Sequence, residues 1–197
     1  MVTVGGDAAA VERRLVDRQL SCPGCLGVLT GWGHARERSV RGLDGSVRLR
    51  PRRARCCGCR ATHVLLPAVL LLRRADTAAV IGAALLAKAG GAGYRRVAAG
   101  LERPAETVRG WLRRFAGRVE AVRAVFTTLL RAVAADPVMP EPTGGAWADA
   151  LAAIAAAATA AAGRFAVFKV PLWEWVSAVC AGRLLAPGWP AGWINTS

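Results

Sequence analysis

Four cysteines arranged as two Cys-x-x-Cys pairs, Cys22 with Cys25 and Cys56 with Cys59, constrain this chain more than any other feature. Each two-residue spacer folds into a tight knuckle that aims both sulfurs at one point, and two such pairs supply the four thiolates of a tetrahedral Zn²⁺. The ligand set read from the spacing is therefore Cys22, Cys25, Cys56 and Cys59. Two pairs of buried thiols, or a redox Cys-x-x-Cys, are the competing readings, and the redox one requires a βαβ context that is missing here. Cys57 lies inside the second spacer and is expected to point away from the metal. His34 and His63 are candidates for groups behind a ligand, for replacement ligands, or for surface caps of the same unit.

Between the pairs the sequence reads as extended structure around a turn. Gly42 to Gly45 carries turn chemistry, and the flanks Arg38–Arg41 and Ser46–Arg50 alternate with the period of strands. A hairpin between cysteine knuckles is a zinc ribbon. Arg48, Arg50 and Arg52 are expected on one face of its second strand, with Arg53 and Arg55 following, as cations for phosphate.

Charge is distributed unevenly. Residues 1–75 carry +9, residues 76–135 carry +6 and residues 136–197 carry −1. A basic front with a neutral tail is the footprint of a chain that meets phosphate with its first two-thirds, or of a basic protein with no specific partner. The first twenty residues include Asp7, Glu12, Arg13, Arg14, Asp17 and Arg18 without a long apolar run, so reduced thiols and a cytoplasmic, nucleoid-associated location are expected. The apolar run Ala150–Ala162 is too short for a membrane span, and the next contains Lys169, Pro171 and Glu174, so no membrane partner is expected.

After the ribbon, Asp76 and Thr77 form an N-cap signal for a helix over 78–89, stopped by glycines at 90, 91 and 93. A short helix follows from Tyr94 to Gly100, then a turn over Leu101–Pro104 and a third helix to Phe115. Val97, Ala98, Leu101, Val108, Trp111 and Leu112 form the apolar set that locks the last two together. Glu106, Thr107, Arg109, Gly110, Arg113 and Arg114 are left facing outward, as on a helix that reads a major groove. The alternative is an ordinary helical hairpin with a solvated basic face.

In combination these motifs resemble a known grouping. The runs 22–25, 31–34, 52–56, 62–67, 93–98 and 107–114 look like those of an uncharacterised family from GC-rich bacteria that pairs a zinc ribbon with a helix-turn-helix. They are also similar to the DNA-binding front end of insertion-sequence transposases. The likeness spans about residues 10–118 and implies zinc at the four cysteines and DNA at residues 94–115, including Arg95 and Arg96. It implies no activity. One departure is Glu102, where such motifs carry the glycine of a left-handed turn.

Past Phe115 the acids are Glu120, Asp136, Glu141, Asp149 and Glu174, none of them in a convincing strand, so no catalytic carboxylate set and no small-molecule substrate are expected. Val108, Leu112, Phe115, Val119, Val122, Phe126, Leu129 and Val133 fall at alternating spacings of four and three. Such a seam could pair two chains as a homodimer or pack on the chain's own tail. Trp173, Val176, Cys180 and Leu184 share one helical face, whereas Trp189 and Trp193 give no pattern. The expected organisation is α+β. An N-terminal lead-in (1–20) precedes a zinc ribbon (21–67) and a helix-turn-helix (76–118). A helical extension (119–135), a linker (136–145) and an Ala/Trp-rich tail (146–197) follow. The function expected is a DNA-binding regulator or mobile-element remnant. Its rivals are a transposase or recombinase subunit with its catalytic part elsewhere, and an RNA-binding ribbon.

Overall fold

The strand-forming front builds two small sheets, and among the described residues the chain from Ala78 onward builds six of the seven helices. The computed structural model describes residues 1–165 and 170–190, so Lys169, Trp193 and the end of the expected tail lie outside the described residues. The fold is α+β, as the order of motifs along the chain leads one to expect.

Strands β1 (Val2–Val4), β2 (Leu29–His34), β5 (Arg52–Cys56) and β6 (Thr62–Pro67) form one sheet in the order β1-β6-β5-β2. Strands β3 (Arg38–Arg41) and β4 (Ser46–Leu49) form a separate two-stranded arm around the expected turn, with Val40 opposite Val47. Residues 1–20 join the first of these sheets and pack on it. β1 pairs in parallel with β6, and α1 (Ala8–Val16) is capped by Asp7 and buries Val11 and Leu15 beside Leu29 and Leu65.

A correction concerns the ribbon arginines. Arg48 lies in β4 and Arg52 in β5, with Arg50 and Pro51 between the strands. Proline cannot donate to a ladder and ends the strand, so the three arginines do not share one strand face.

The helices follow the apolar spacing closely. α2 (Ala78–Ala89) begins at Thr77, whose side chain accepts from the Val80 N–H at 3.3 Å. α3 (Tyr94–Gly100) and α4 (Ala105–Ala116) are joined by Leu101–Pro104. Glu102 there has φ +53°, the left-handed conformation that the turn demands. Helix α5 (Val119–Val133) packs against α6 (Ala146–Arg164), and α7 (Leu172–Val179) closes on α2. Gly82 makes that last approach possible, because a Cβ there would overlap the Trp173 indole.

The 108–133 seam is broken at Gly117, which caps α4 before α5 begins. Val108, Phe115, Val122 and Phe126 are fully buried in the chain's own core with Ile154, Val176, Cys180 and Leu184. Trp147 packs on Phe115 at 4.8 Å and Trp175 on Phe126 at 5.8 Å between ring centres. Of the two arrangements the spacing allowed, these contacts place the buried part of the seam on the chain's own tail. α6 is, among the described residues, the one helix long and apolar enough to cross a membrane by length and composition. Its Leu151, Ile154, Ala157 and Ala161 are buried within the protein.

Candidate metal centre and nucleic-acid interface

The two knuckles sit where β2 begins and β5 ends, and the antiparallel pairing of Leu29 with Cys56 brings them side by side. In the first, the Leu26 N–H donates to the Cys22 carbonyl at 2.8 Å and the Cys22 N–H to the Gly27 carbonyl at 2.8 Å. Residues directly after each second cysteine are left-handed, Leu26 at φ +61° and Arg60 at φ +65°. The knuckles are therefore built alike although their sequences differ.

The Sγ atoms of Cys22, Cys25, Cys56 and Cys59 all lie within 4.8 Å of one another. Cys22 and Cys59 are 3.7 Å apart, and Cys25 and Cys56 are 3.4 Å apart. Four thiolates at about 2.3 Å from a tetrahedral Zn²⁺ would be separated by about 3.8 Å, so the donor set fits that ion. Gly27 keeps the space clear, since a Cβ there would come 3.0 Å from the Cys56 sulfur and 3.3 Å from that of Cys25. Cys57 is exposed and outside the cluster, and Cys180 is buried in the helical core.

The Gly27 N–H first, then hydrogen bonds from Cys56 and Cys59, hold the Cys25 thiol down at about 6. At Cys59 the Ala61 N–H pulls down, but hydrogen bonding with Cys25, Cys56 and Cys22 pushes the thiol up to about 11. A bound dication would favour the thiolate form of all four sulfurs.

His63 stands behind the site. Its Nε2 is 3.4 Å from the Cys22 sulfur, and its Nδ1 is 3.0 Å from the α-amino group of Met1. Burial first, then the charge of that amino group, holds the imidazole below its ordinary range. A neutral ring accepting at Nδ1 carries its proton on Nε2, directed at the ligand sulfur. His34 is exposed at the end of β2.

The candidate DNA-contacting residues are held differently. On α4, Val108, Trp111, Leu112 and Phe115 are buried, and Glu106, Arg109, Arg113 and Arg114 are exposed with Thr107 half-buried. Arg95 on α3 and Arg109 on α4 both lie over the Tyr94 ring, at 5.7 and 5.9 Å from its centre. That ring, which sequence reasoning passed over, gathers cations from two helices onto one surface. Arg96 is exposed beside them.

On the ribbon, Arg52 bonds Glu12 and the Gly33 carbonyl, so it braces α1 against the sheet. Arg55 lies 4.6 Å over the half-exposed Trp32 ring. Arg48 makes a solvent-exposed pair with Glu37 at 3.6 Å, whereas Arg50 is exposed and Arg53 half-buried.

One buried acid ties the two regions together. Asp76, 2% exposed, receives Arg41 from β3 and Arg103 from the α3–α4 turn, each at 2.7 Å. Arg103 also donates to the carbonyls of Gly42 and Leu101. The ribbon arm and the turn before α4 are thus fixed to one carboxylate. Comparison with known protein families, with curated proteins and with solved structures finds no match to this chain.

Proposed function

We propose that this chain is a zinc-bearing DNA-binding protein in which α3, its turn and α4 act as a helix-turn-helix. In this reading α4 enters the major groove and the ribbon holds backbone phosphate. The observation that carries it is the division of α4. One face is locked into the core by Val108, Trp111, Leu112 and Phe115, and the other presents Arg109, Arg113 and Arg114, which salt bridges leave almost entirely unneutralised. Among the described residues Glu106 is the one acid paired with any of them, 3.4 Å from Arg109 in an exposed pair that contributes little. Guanidinium forks suit both guanine edges and phosphates, so a rigid helix bearing three of them is suited to duplex DNA.

Zn²⁺ held by Cys22, Cys25, Cys56 and Cys59 has no open position for substrate and supplies the small ribbon with cross-linking that its few buried residues lack. Asp76 then keeps the ribbon arm and α4 in one orientation. The test is selection of bound sequences from a random duplex pool, followed by titration of the selected site and a scrambled one. A reproducible selected site bound more tightly than its scramble is expected. Equal weak binding to both would leave only a basic protein, and preference for single-stranded RNA would replace the reading with an RNA-binding ribbon.

A further inference from the structure

Three arginines meet at the far end of α4 with no carboxylate among them. Arg74 lies in the segment between β6 and α2, Arg114 is in the last turn of α4, and Arg118 is the residue just before α5. Among the described residues none of the three forms a salt bridge, although Arg41, Arg52 and Arg103 all do. Arg74 and Arg118 converge on consecutive main-chain carbonyls. Arg118 donates to Leu184 at 3.3 Å and Ala186 at 2.6 Å, and Arg74 donates to Leu185 at 3.5 Å.

Those bonds anchor the side chains but do not satisfy them. A guanidinium carries five N–H donors, and Arg74 uses one, its buried Nε having no partner. Arg114 bonds only the Gly110 carbonyl of its own helix. Burial, and then the positive charges of Arg114 and Arg118, hold Arg74 below its ordinary range, and burial with Arg114 does the same to Arg118. Half-buried like charges without a counterion are costly, and carbonyl dipoles offset only part of that cost.

We propose that Arg74, Arg114 and Arg118 form a phosphate-binding site at the C-terminal end of α4, which seats one backbone phosphate of the bound DNA. The DNA source rests on the reading above; the phosphate chemistry does not. Fixed guanidinium forks bind a tetrahedral oxyanion by paired charge-assisted hydrogen bonds, and the carbonyls of residues 184–186 hold two of them in place before the anion arrives. A contact there would set how deep α4 lies in the groove without reading sequence.

The test has two arms, each with Arg74→Gln, Arg114→Gln and Arg118→Gln, with helical content checked by circular dichroism. In the first, thermal unfolding is followed in inorganic phosphate and in chloride at equal ionic strength and pH. Phosphate should raise the wild-type midpoint in a concentration-dependent way, and each substitution should remove the rise. Arg114→Gln keeps the arm informative, because that exposed side chain holds nothing outside its own helix. In the second, DNA affinity is measured across salt, and each substitution should lower the slope by about one unit while leaving base preference intact. No phosphate effect on the wild type, or one that survives all three substitutions, would overturn the site and leave the role of Arg109 and Arg113 untouched. A phosphate effect with unchanged salt slopes would overturn the DNA backbone as its source. Phosphate stabilisation in a protein that binds no duplex would support the triad while removing the proposed function.

Discussion

At Glu102 the backbone requirement and the residue disagree. A φ of +53° costs a side chain on the order of 1 kcal/mol relative to glycine, and among the described residues the exposed Glu102 side chain makes no bond that offsets it. Glu102→Gly should therefore stabilise the protein by up to about 1 kcal/mol in chemical unfolding, and a loss of stability would show that the turn is held by something other than its dihedral. The cysteines make the sharper residue-scale case. Purified reduced protein should carry one Zn²⁺ per chain by elemental analysis, Cys22→Ser and Cys59→Ser should lose it, and Cys57→Ser and Cys180→Ser should keep it. Gly27→Ala should weaken metal retention against a chelator, because its Cβ would press on two ligand sulfurs.

Among elements, the Asp76 clasp and the α6 cap respond to different tests. Asp76→Ala strands Arg103, whose side chain is 12% exposed, and should cost about 3–5 kcal/mol in urea unfolding, as loss of one member of a buried pair does. At the start of α6, Asp149 accepts the Thr143 N–H and hydroxyl, each at 2.7 Å, and those bonds lower its carboxyl below the ordinary range. A lowered folded pKa means the unfolded chain binds the proton more readily. The contribution is thus complete above the ordinary value of 3.8 and is lost as pH falls through the folded one. Asp149→Asn should differ from wild type in thermal midpoint near pH 6, and the difference should shrink below about pH 4. A difference constant down to pH 2 would assign the effect to packing.

For the whole molecule, the basic front predicts steep salt dependence. With about 6–10 phosphate contacts, affinity for duplex DNA should fall roughly 10³–10⁵-fold between 50 and 200 mM salt. Base reading and phosphate contact should separate by position. Arg109→Ala and Arg113→Ala should relax preference at particular bases by about 1–3 kcal/mol, and Arg50→Ala should weaken selected and scrambled sites alike. The opposite outcome would make the ribbon the specific reader. Arg52→Ala should instead lower stability, since that arginine is occupied by Glu12 and Gly33.

Local rules sufficed wherever chemistry is carried by neighbours in the chain. The Cys-x-x-Cys spacers, the Thr77 cap, the spacing of Val108, Trp111, Leu112 and Phe115, and the left-handed need at 102 all act within a few residues, and each is legible in the sequence. Tertiary structure decided what depends on a partner far along the chain. The heptad-like spacing of 108–133 says that one face is apolar but not what covers it, and α6 and α7 cover it from within. Arginine frequency likewise says nothing about pairing. Glu12 takes Arg52 from forty residues away, Asp76 takes Arg41 and Arg103, and Arg74, Arg114 and Arg118 meet without a carboxylate. An ion pair is a property of distance in space, and residue types along the chain carry no record of it.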